Sequence, residues 1–132
     1  MATLLDLKSV NLGHSVITRL ESGIFRIECE EDVVYDVQMV RENLSCIRKL
    51  AEGKLVPVYS LAGKYTLATK EAREYVAKAE MSRTILSAEA FVVQSASQRI
   101  IANFYLRINK PRIPTAFFKK EEDAVKWLKK FL

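Results

Sequence analysis

Side chains capable of acid–base chemistry are concentrated in one short stretch of the chain. It contains five carboxylates: Glu28, Glu30, Glu31, Asp32 and Asp36. Paired acids can hold a metal or exchange protons with a substrate. These acids, however, lie where a predicted strand passes into a predicted helix, and acids stabilise the positive end of a helix dipole. We therefore expect a helix start here rather than a metal or catalytic site.

The other groups with nucleophilic or metal-binding chemistry are few and scattered. The single histidine, His14, lies in a segment without clear periodicity, and we expect it in a solvated loop. Cys29 and Cys46 match no metal-ligand spacing and suit a reducing compartment as small apolar residues. Gly63 lacks the partner glycines of a phosphate-binding loop. The sequence thus predicts no catalytic set, no metal site and no cofactor, and we expect a non-enzymatic protein.

The length and composition are typical of one globular domain. The chain has 132 residues, of which 49% are hydrophobic and 28% charged, so we expect a single domain over residues 1–132. Residues 1–14 are expected to form a tail or an edge segment. The N-terminus lacks the basic start of a signal peptide, and no apolar run approaches the roughly 20 residues of a membrane span. We therefore expect a cytoplasmic protein.

The net charge of +5 is concentrated in the last part of the chain. Residues 1–95 carry 12 Lys and Arg against 13 Asp and Glu, whereas residues 96–132 carry 9 against 3. Such a basic region can indicate an anionic partner. The basic residues are nevertheless dispersed and form no aromatic–basic surface motif. We favour a solvated helix surface, with nucleic-acid binding as a minor alternative.

The elements that position these residues are organised around an apolar run at residues 55–62. A run that is apolar at nearly every position predicts a strand buried on both faces, which needs helices above and below it. Prolines beside the last strand predict an edge position for it. The other predicted strands are 15–20, 24–29, 88–94 and 113–118, and the predicted helices are about 30–51, 70–79, 96–109 and 121–132. The prediction is an α/β fold with a five-stranded mixed sheet and four helices.

Several weak sequence segments, taken in order, carry a family resemblance. They are Lys54-Leu-Val-Pro-Val-Tyr59, Lys70-Glu-Ala-Arg-Glu-Tyr75, Ala90-Phe-Val-Val-Gln-Ser95, Pro114-Thr-Ala-Phe-Phe118 and Glu122-Asp-Ala-Val-Lys-Trp-Leu128. With the order of elements, they resemble the STAS domain of the anti-sigma-factor antagonist SpoIIAA, and more narrowly the uncharacterised bacterial SpoIIAA-like proteins of STAS/SEC14 type. The resemblance spans about residues 15–132. It implies an N-terminal antiparallel hairpin followed by βαβαβα.

The same resemblance implies two roles. One is a regulatory or protein-interaction module without catalysis, and the alternative is a carrier or sensor of a small apolar ligand or lipid. In the antagonists, a partner kinase phosphorylates a serine in the loop after the middle strand. That loop here, residues 60–70, has no acidic residue before a Ser-Gly pair, so this phosphorylation site is not carried over. We expect Thr69 to cap the next helix, with phosphorylation of Thr69 as the open alternative.

A crevice at the sheet edge is the first candidate binding site. Open α/β sheets bind ligands outside the carboxyl ends of their parallel strands, and helix N-termini there attract anions. We expect this crevice to be lined by residues 59–68 and 94–97. The candidate ligand- or anion-binding residues are Tyr59, Ser60, Lys64, Thr66, Thr69, Ser95 and Ser97. An ordinary surface loop is the alternative.

The predicted helix 96–109 is the second candidate site because it is apolar on more than one face. Its predicted core face consists of Ile101, Phe104, Tyr105 and Ile108. Ile100 and Leu106 fall outside that face, and leftover apolar surface often indicates a contact. Two-fold dimers are the commonest assembly. We therefore predict a homodimer with Ile100, Phe104 and Leu106 in its interface, and a wider core contact is the alternative.

Overall fold

The computed structural model describes residues 8–132. The strands are Lys8–Asn11 (β1), Ser15–Arg19 (β2), Phe25–Cys29 (β3), Val34–Tyr35 (β4), Val56–Leu61 (β5), Leu67–Ala68 (β6), Leu86–Val92 (β7) and Thr115–Phe118 (β8). Six of them form the main sheet in the order β1-β2-β3-β5-β7-β8. β1, β2 and β3 pair antiparallel, whereas β3, β5, β7 and β8 pair parallel. β4 and β6 form a separate parallel pair.

Five α-helices connect or follow these strands. They are Val37–Leu50 (α1), Lys70–Lys78 (α2), Glu80–Ile85 (α3), Ala96–Phe104 (α4) and Glu121–Leu128 (α5). The α/β class with a mixed sheet is confirmed. The predicted counts of five strands and four helices are wrong for the described residues, because β1 extends the sheet, β4 and β6 pair separately, and α3 forms its own short helix.

The apolar run at residues 55–62 supplies β5, an interior strand that lies between β3 and β7. Its side chains alternate between two cores: Val58 packs with the core under α1, and Tyr59 packs with the core under α5. The register to β7 shifts between Val56 and Pro57. A bulge at this point suits proline, which has no N–H to donate to a neighbouring strand.

The chain before the hairpin β2–β3 forms an edge of the sheet. Residues 8–11 make β1, which pairs only with β2, whereas residues 1–7 lie outside the described part. The predicted edge position of the last strand is confirmed, since β8 closes the opposite side. Among the helices of residues 8–132, none has the length and apolar character needed to cross a membrane.

α1 begins at Val37 rather than near residue 30. Its N-cap is Asp36, whose Oδ1 accepts a hydrogen bond from Met39 N at 2.9 Å. The preceding acids lie in a turn before β4, so the predicted stabilisation of a helix dipole by residues 30–32 is wrong. Asp36 alone among the five acids acts at the helix start, as a hydrogen-bonding cap.

α4 continues as a π-helical turn over Tyr105–Asn109. Lys110 N donates to Tyr105 O at 3.1 Å, five residues back instead of four. Each residue of such a turn rotates by less than the roughly 100° of an α-helix. Tyr105 and Asn109 are consequently buried while Ile108 is 60% exposed. The predicted core face is therefore wrong for Ile108, and also for Phe104, which is 48% exposed.

Candidate ligand cavity

A cavity of about 210 Å³ lies between the sheet and helices α1, α2 and α4. Its walls are mostly aliphatic and aromatic and include Ile27, Leu44, Val58, Val76, Phe91 and Ile101. An engineered apolar cavity of about 150 Å³ takes up benzene. By proportion, this cavity has room for a compact molecule of about eight non-hydrogen atoms.

Besides hydroxyl and thiol groups and Gln98, three polar side chains lie among these apolar walls, each from a different element. They are Asn43 of α1, Arg73 of α2 and Glu89 of β7. Asn43 and Glu89 are more than nine-tenths buried. Within the described residues, Asn43 Oδ1 and Arg73 Nε have no hydrogen-bond partner. Because buried polar atoms are nearly always paired, these two atoms are suited to meet a bound molecule.

Glu89 faces the cavity because its neighbours on β7, Ala88 and Ala90, face the core under α5. Its Oε1 accepts a hydrogen bond from Tyr105 Oη at 2.8 Å, and Thr115 Oγ1 lies 3.1 Å from the same oxygen. Burial raises the pKa of Glu89 to about 7, although both hydrogen bonds lower it. The carboxyl therefore changes its protonation state near neutral pH.

Arg73 brings a positive charge to the cavity wall. Its Nη1 donates to Ala68 O at 2.6 Å, and its guanidinium carbon lies 5.9 Å from the centroid of the Phe104 ring. Among residues 8–132, Arg73 takes part in no ion pair. A half-buried guanidinium without a carboxylate partner is well placed to receive an anion.

Gln98 fastens the loop after β5 against this cavity. Its Nε2 donates to Gly63 O at 2.9 Å and to Thr66 O at 3.1 Å, and its Oε1 accepts from Gln94 N at 2.7 Å. A Cβ on Gly63 would lie 2.9 Å from Cys29 O and 2.8 Å from Thr66 Oγ1. The loop can approach β3 this closely only because residue 63 has no side chain.

The structure separates the residues predicted to line the crevice. Ser60 and Thr66 line the cavity, and Thr66 Oγ1 donates to Glu30 O at 2.8 Å. Thr69 and Ser95 are helix caps that accept hydrogen bonds from Ala72 N and Gln98 N, respectively. The predicted cap at Thr69 is thus confirmed. Of the seven candidate residues, only Ser60 and Thr66 line the cavity.

The remaining three predicted crevice residues do not line the cavity. Lys64 and Ser97 are exposed, and Lys64 Nζ lies 5.3 Å from the centroid of the Tyr65 ring. Tyr59 faces the opposite side of the sheet, so its predicted place in the crevice is wrong. Its Oη donates to Glu121 Oε2 at 2.5 Å, and Arg26 Nε donates to the same oxygen at 3.0 Å. This cluster fastens α5 to β3 and β5.

The histidine and the two cysteines do not form a catalytic or metal-binding site. His14 is not a solvated loop residue: its side chain is 12% exposed and Nε2 lies 2.8 Å from Glu42 Oε1. Cys29 and Cys46 are free thiols in β3 and α1. Burial raises the pKa of Cys29 to about 11, which keeps the thiol protonated at neutral pH. Across residues 8–132, no cluster of three or more His, Cys, Asp or Glu could hold a metal.

Sequence reasoning missed Asn43, Arg73 and Glu89 of the cavity wall. Glu89 carries a signal that could have found it, since it is the one charged residue in an apolar strand. Asn43 carries a weaker one, because it follows Val40 by three residues on the apolar stripe of α1. Arg73 carries none, because a charged residue in an amphipathic helix is expected on the solvent side.

The fold and cavity define an α/β domain with a mixed sheet and a mainly apolar, partly open cavity containing a few polar groups. Residues 18–132 match the family described as "Domain of unknown function (DUF7793)", and the chain belongs to that family. No curated protein matches the chain. Among solved structures, it is similar to a protein with unknown function from Arthrobacter sp. FB24, with 22% identity and a TM-score of 0.28. That match covers 90% of this chain and 93% of the other.

Proposed function

We propose that the protein binds a small, mostly apolar molecule in the cavity between its sheet and helices α1, α2 and α4. The observation that carries this proposal is an apolar cavity of about 210 Å³ lined by Asn43 and Arg73, whose Oδ1 and Nε atoms have no hydrogen-bond partner within residues 8–132. Ligand sites typically combine apolar walls with a few placed polar groups. The size favours a compact ligand, since a long-chain lipid would leave most of its chain outside.

A cavity-filling variant tests this role directly. We expect a panel of compact apolar probes, including indole, benzyl alcohol, benzoate and octanoate, to contain molecules that raise the melting temperature of the purified protein. Ala102 lines the cavity from α4, and Ala102→Leu should occupy part of the space. This variant should stay folded and lose the thermal shift. A panel with no binding member, or a filled variant that binds equally well, would contradict the proposal.

We also propose that the fold is of the STAS type, with a non-enzymatic regulatory role. The hairpin β2–β3, followed by parallel β5, β7 and β8 with helical connections, supports this assignment. β1 and the separate β4–β6 pair go beyond the implied pattern. In such a module, ligand binding in the cavity would be the signal that alters contact with another molecule.

A second candidate function is self-association through α4. Ile100, Phe104 and Ile108 are 68%, 48% and 60% exposed and lie on successive turns. Leu106, predicted for the interface, is half-buried, and Ile108 lies on the exposed stripe instead. Because the stripe reads Ile-Phe-Ile, it is symmetric about Phe104 and suits a two-fold contact between antiparallel copies of the helix.

Light scattering tests the homodimer. We expect about twice the 15.1 kDa chain mass and a return to the monomer mass in Phe104→Glu. Asn103→Glu places the same charge on the adjacent exposed position of α4 and should leave the dimer intact. A wild-type protein that stays monomeric at high concentration would remove this second function without affecting the ligand cavity.

A further inference from the structure

We infer that the ligand of this cavity is a small apolar monocarboxylate, whose carboxylate is bound by Arg73 of the cavity wall. This inference rests on the proposed ligand-binding function and names the chemical class of the ligand. It follows from three properties of the cavity: its net charge, its free hydrogen-bonding atoms and its volume.

The charge of the cavity favours an anion. Its titratable lining groups are Cys29, Tyr35, Arg73, Glu89 and Tyr105. Burial raises the pKa of Cys29, Tyr35 and Tyr105, so all three stay neutral at neutral pH. When Glu89 is protonated, Arg73 leaves one net positive charge. A ligand with one negative charge neutralises it, whereas a protonated amine meets like charge and an alcohol leaves the charge uncompensated.

The hydrogen-bonding atoms favour two acceptor oxygens. Arg73 Nε is a donor without a partner in the described residues. The Asn43 amide can turn by 180° to present its Nδ2 donors where Oδ1 lies. Because Tyr105 and Thr115 both approach Oε1 of Glu89, the acid form can donate from Oε2. A carboxylate has only acceptor sites, so it suits a cavity wall whose free polar groups are donors.

The volume limits the apolar part of the ligand. About 210 Å³ holds a ring or short chain of the size of benzoate or hexanoate, by comparison with benzene in an engineered cavity. The walls near the polar groups include Phe91 and the Tyr105 ring, which are arranged edge to face at 5.8 Å between centroids. Aromatic walls of this kind suit a flat apolar body.

Binding of a carboxylate should be coupled to a proton on Glu89. Two carboxylates in one buried site repel, so the ligand anion favours the acid form of Glu89. A small carboxylic acid is itself ionised above about pH 5. The affinity should therefore be highest near pH 6 and should fall about tenfold per pH unit once Glu89 ionises in the free protein.

Titrations of the full chain with benzoate, benzyl alcohol and benzylamine at pH 6 and pH 8.5 test the inference. Benzoate should bind most tightly at pH 6 and at least tenfold more weakly at pH 8.5. Arg73→Gln should weaken benzoate binding at least tenfold and leave benzyl alcohol unchanged, whereas the exposed Arg83→Gln should change neither. Glu89→Gln should keep benzoate binding and remove its dependence on pH.

The outcomes separate this inference from the proposed function. Tighter binding of the alcohol or the amine, or an unchanged preference for benzoate in Arg73→Gln, would overturn the carboxylate assignment while the cavity remained a ligand site. Absence of binding by these probes and by the wider apolar panel would overturn the proposed function itself. The Arg73→Gln comparison applies even if Glu89→Gln fails to fold.

Discussion

Tyr105 and Glu89 are hydrogen-bonded in the cavity wall, with the phenol of Tyr105 donating to Oε1 of the carboxyl at 2.8 Å. Glu89 lies directly opposite Thr115 in the β7–β8 register, which brings the Thr115 hydroxyl to the same oxygen. One buried carboxyl thus joins two strands and the π-helical turn. The stability of this part of the fold consequently depends on the protonation of Glu89.

Stability should fall as the pH rises through the pKa of Glu89. That pKa is raised from its ordinary value of 4.5 to about 7, so between these values the folded state holds a proton that the unfolded state lacks. The free energy of unfolding should therefore fall by about 3 kcal/mol between about pH 4.5 and about pH 8. Glu89→Gln should remove this loss and be the more stable protein at pH 8.

Urea unfolding at pH 5 and pH 8 measures this effect. The matched control is Glu74→Gln, which changes an exposed carboxyl on α2 and should leave the pH dependence as in the wild type. A Glu89→Gln protein with the wild-type pH dependence would show that another group is responsible.

Tyr105→Phe should destabilise the protein by about 1–3 kcal/mol, because Glu89 loses a hydrogen-bond donor in a buried place. The loss should be larger at pH 8, where the ionised carboxyl needs donors more. In a double-mutant cycle with Glu89→Gln, the two effects should be non-additive. Because the amide oxygen in Glu89→Gln can still accept from Tyr105, simple additivity in denaturant unfolding would show that the hydrogen bond gains nothing from the carboxyl's charge.

Thr69→Ala should cost about 1 kcal/mol of folding free energy, because Thr69 Oγ1 accepts the hydrogen bond from Ala72 N at 3.0 Å. Thr69→Ser should retain most of it. Ser97→Ala, at an exposed position, serves as the control and should have little effect in thermal unfolding. Equal stability of Thr69→Ala and the wild type would contradict the capping role and strengthen the alternative of a modified residue.

Gly63→Ala should destabilise by about 1–3 kcal/mol, since its Cβ would lie 2.9 Å from Cys29 O and force the loop away from β3. Gly13→Ala is an informative comparison. Gly13 has φ +91° but no atom within 4 Å of an added Cβ, so it reports backbone strain alone, about 1 kcal/mol. If chemical unfolding gives Gly63→Ala the smaller effect, the close approach to β3 is not limiting.

The hydrophobic pattern of a short segment predicts those strands whose conformation depends mainly on residues within the segment. The hairpin β2–β3 follows from alternation around Gly23, and β5 from a run that is apolar on both faces. The start of α1 could not be placed because β4 has only two residues and depends on pairing with Leu67 and Ala68. Pairing between distant segments leaves little signal in either one alone.

The hydrophobic periodicity of the sequence does not predict the cavity. An apolar stripe predicts that a helix face is buried, but it does not indicate whether facing side chains fill the space between them. The sequence pattern therefore predicts that Glu89 lies in a buried strand but predicts no function for it. A carboxyl among apolar neighbours needs hydrogen-bond donors, which here are Tyr105 and Thr115. Those donors come from later elements, and only the packed sheet brings them together.

The π-helical turn at Tyr105–Asn109 has a consequence for chain length. Between Tyr105 and the start of the loop to β8, the π-helical turn contains one residue more than an α-helical turn would. Removing that residue would restore four-residue spacing, while Tyr105 would keep its place beside Glu89 and Asn109 would stay near the buried side. A sequence alignment of relatives with a regular helix should therefore open a one-residue gap within this turn and none within α4.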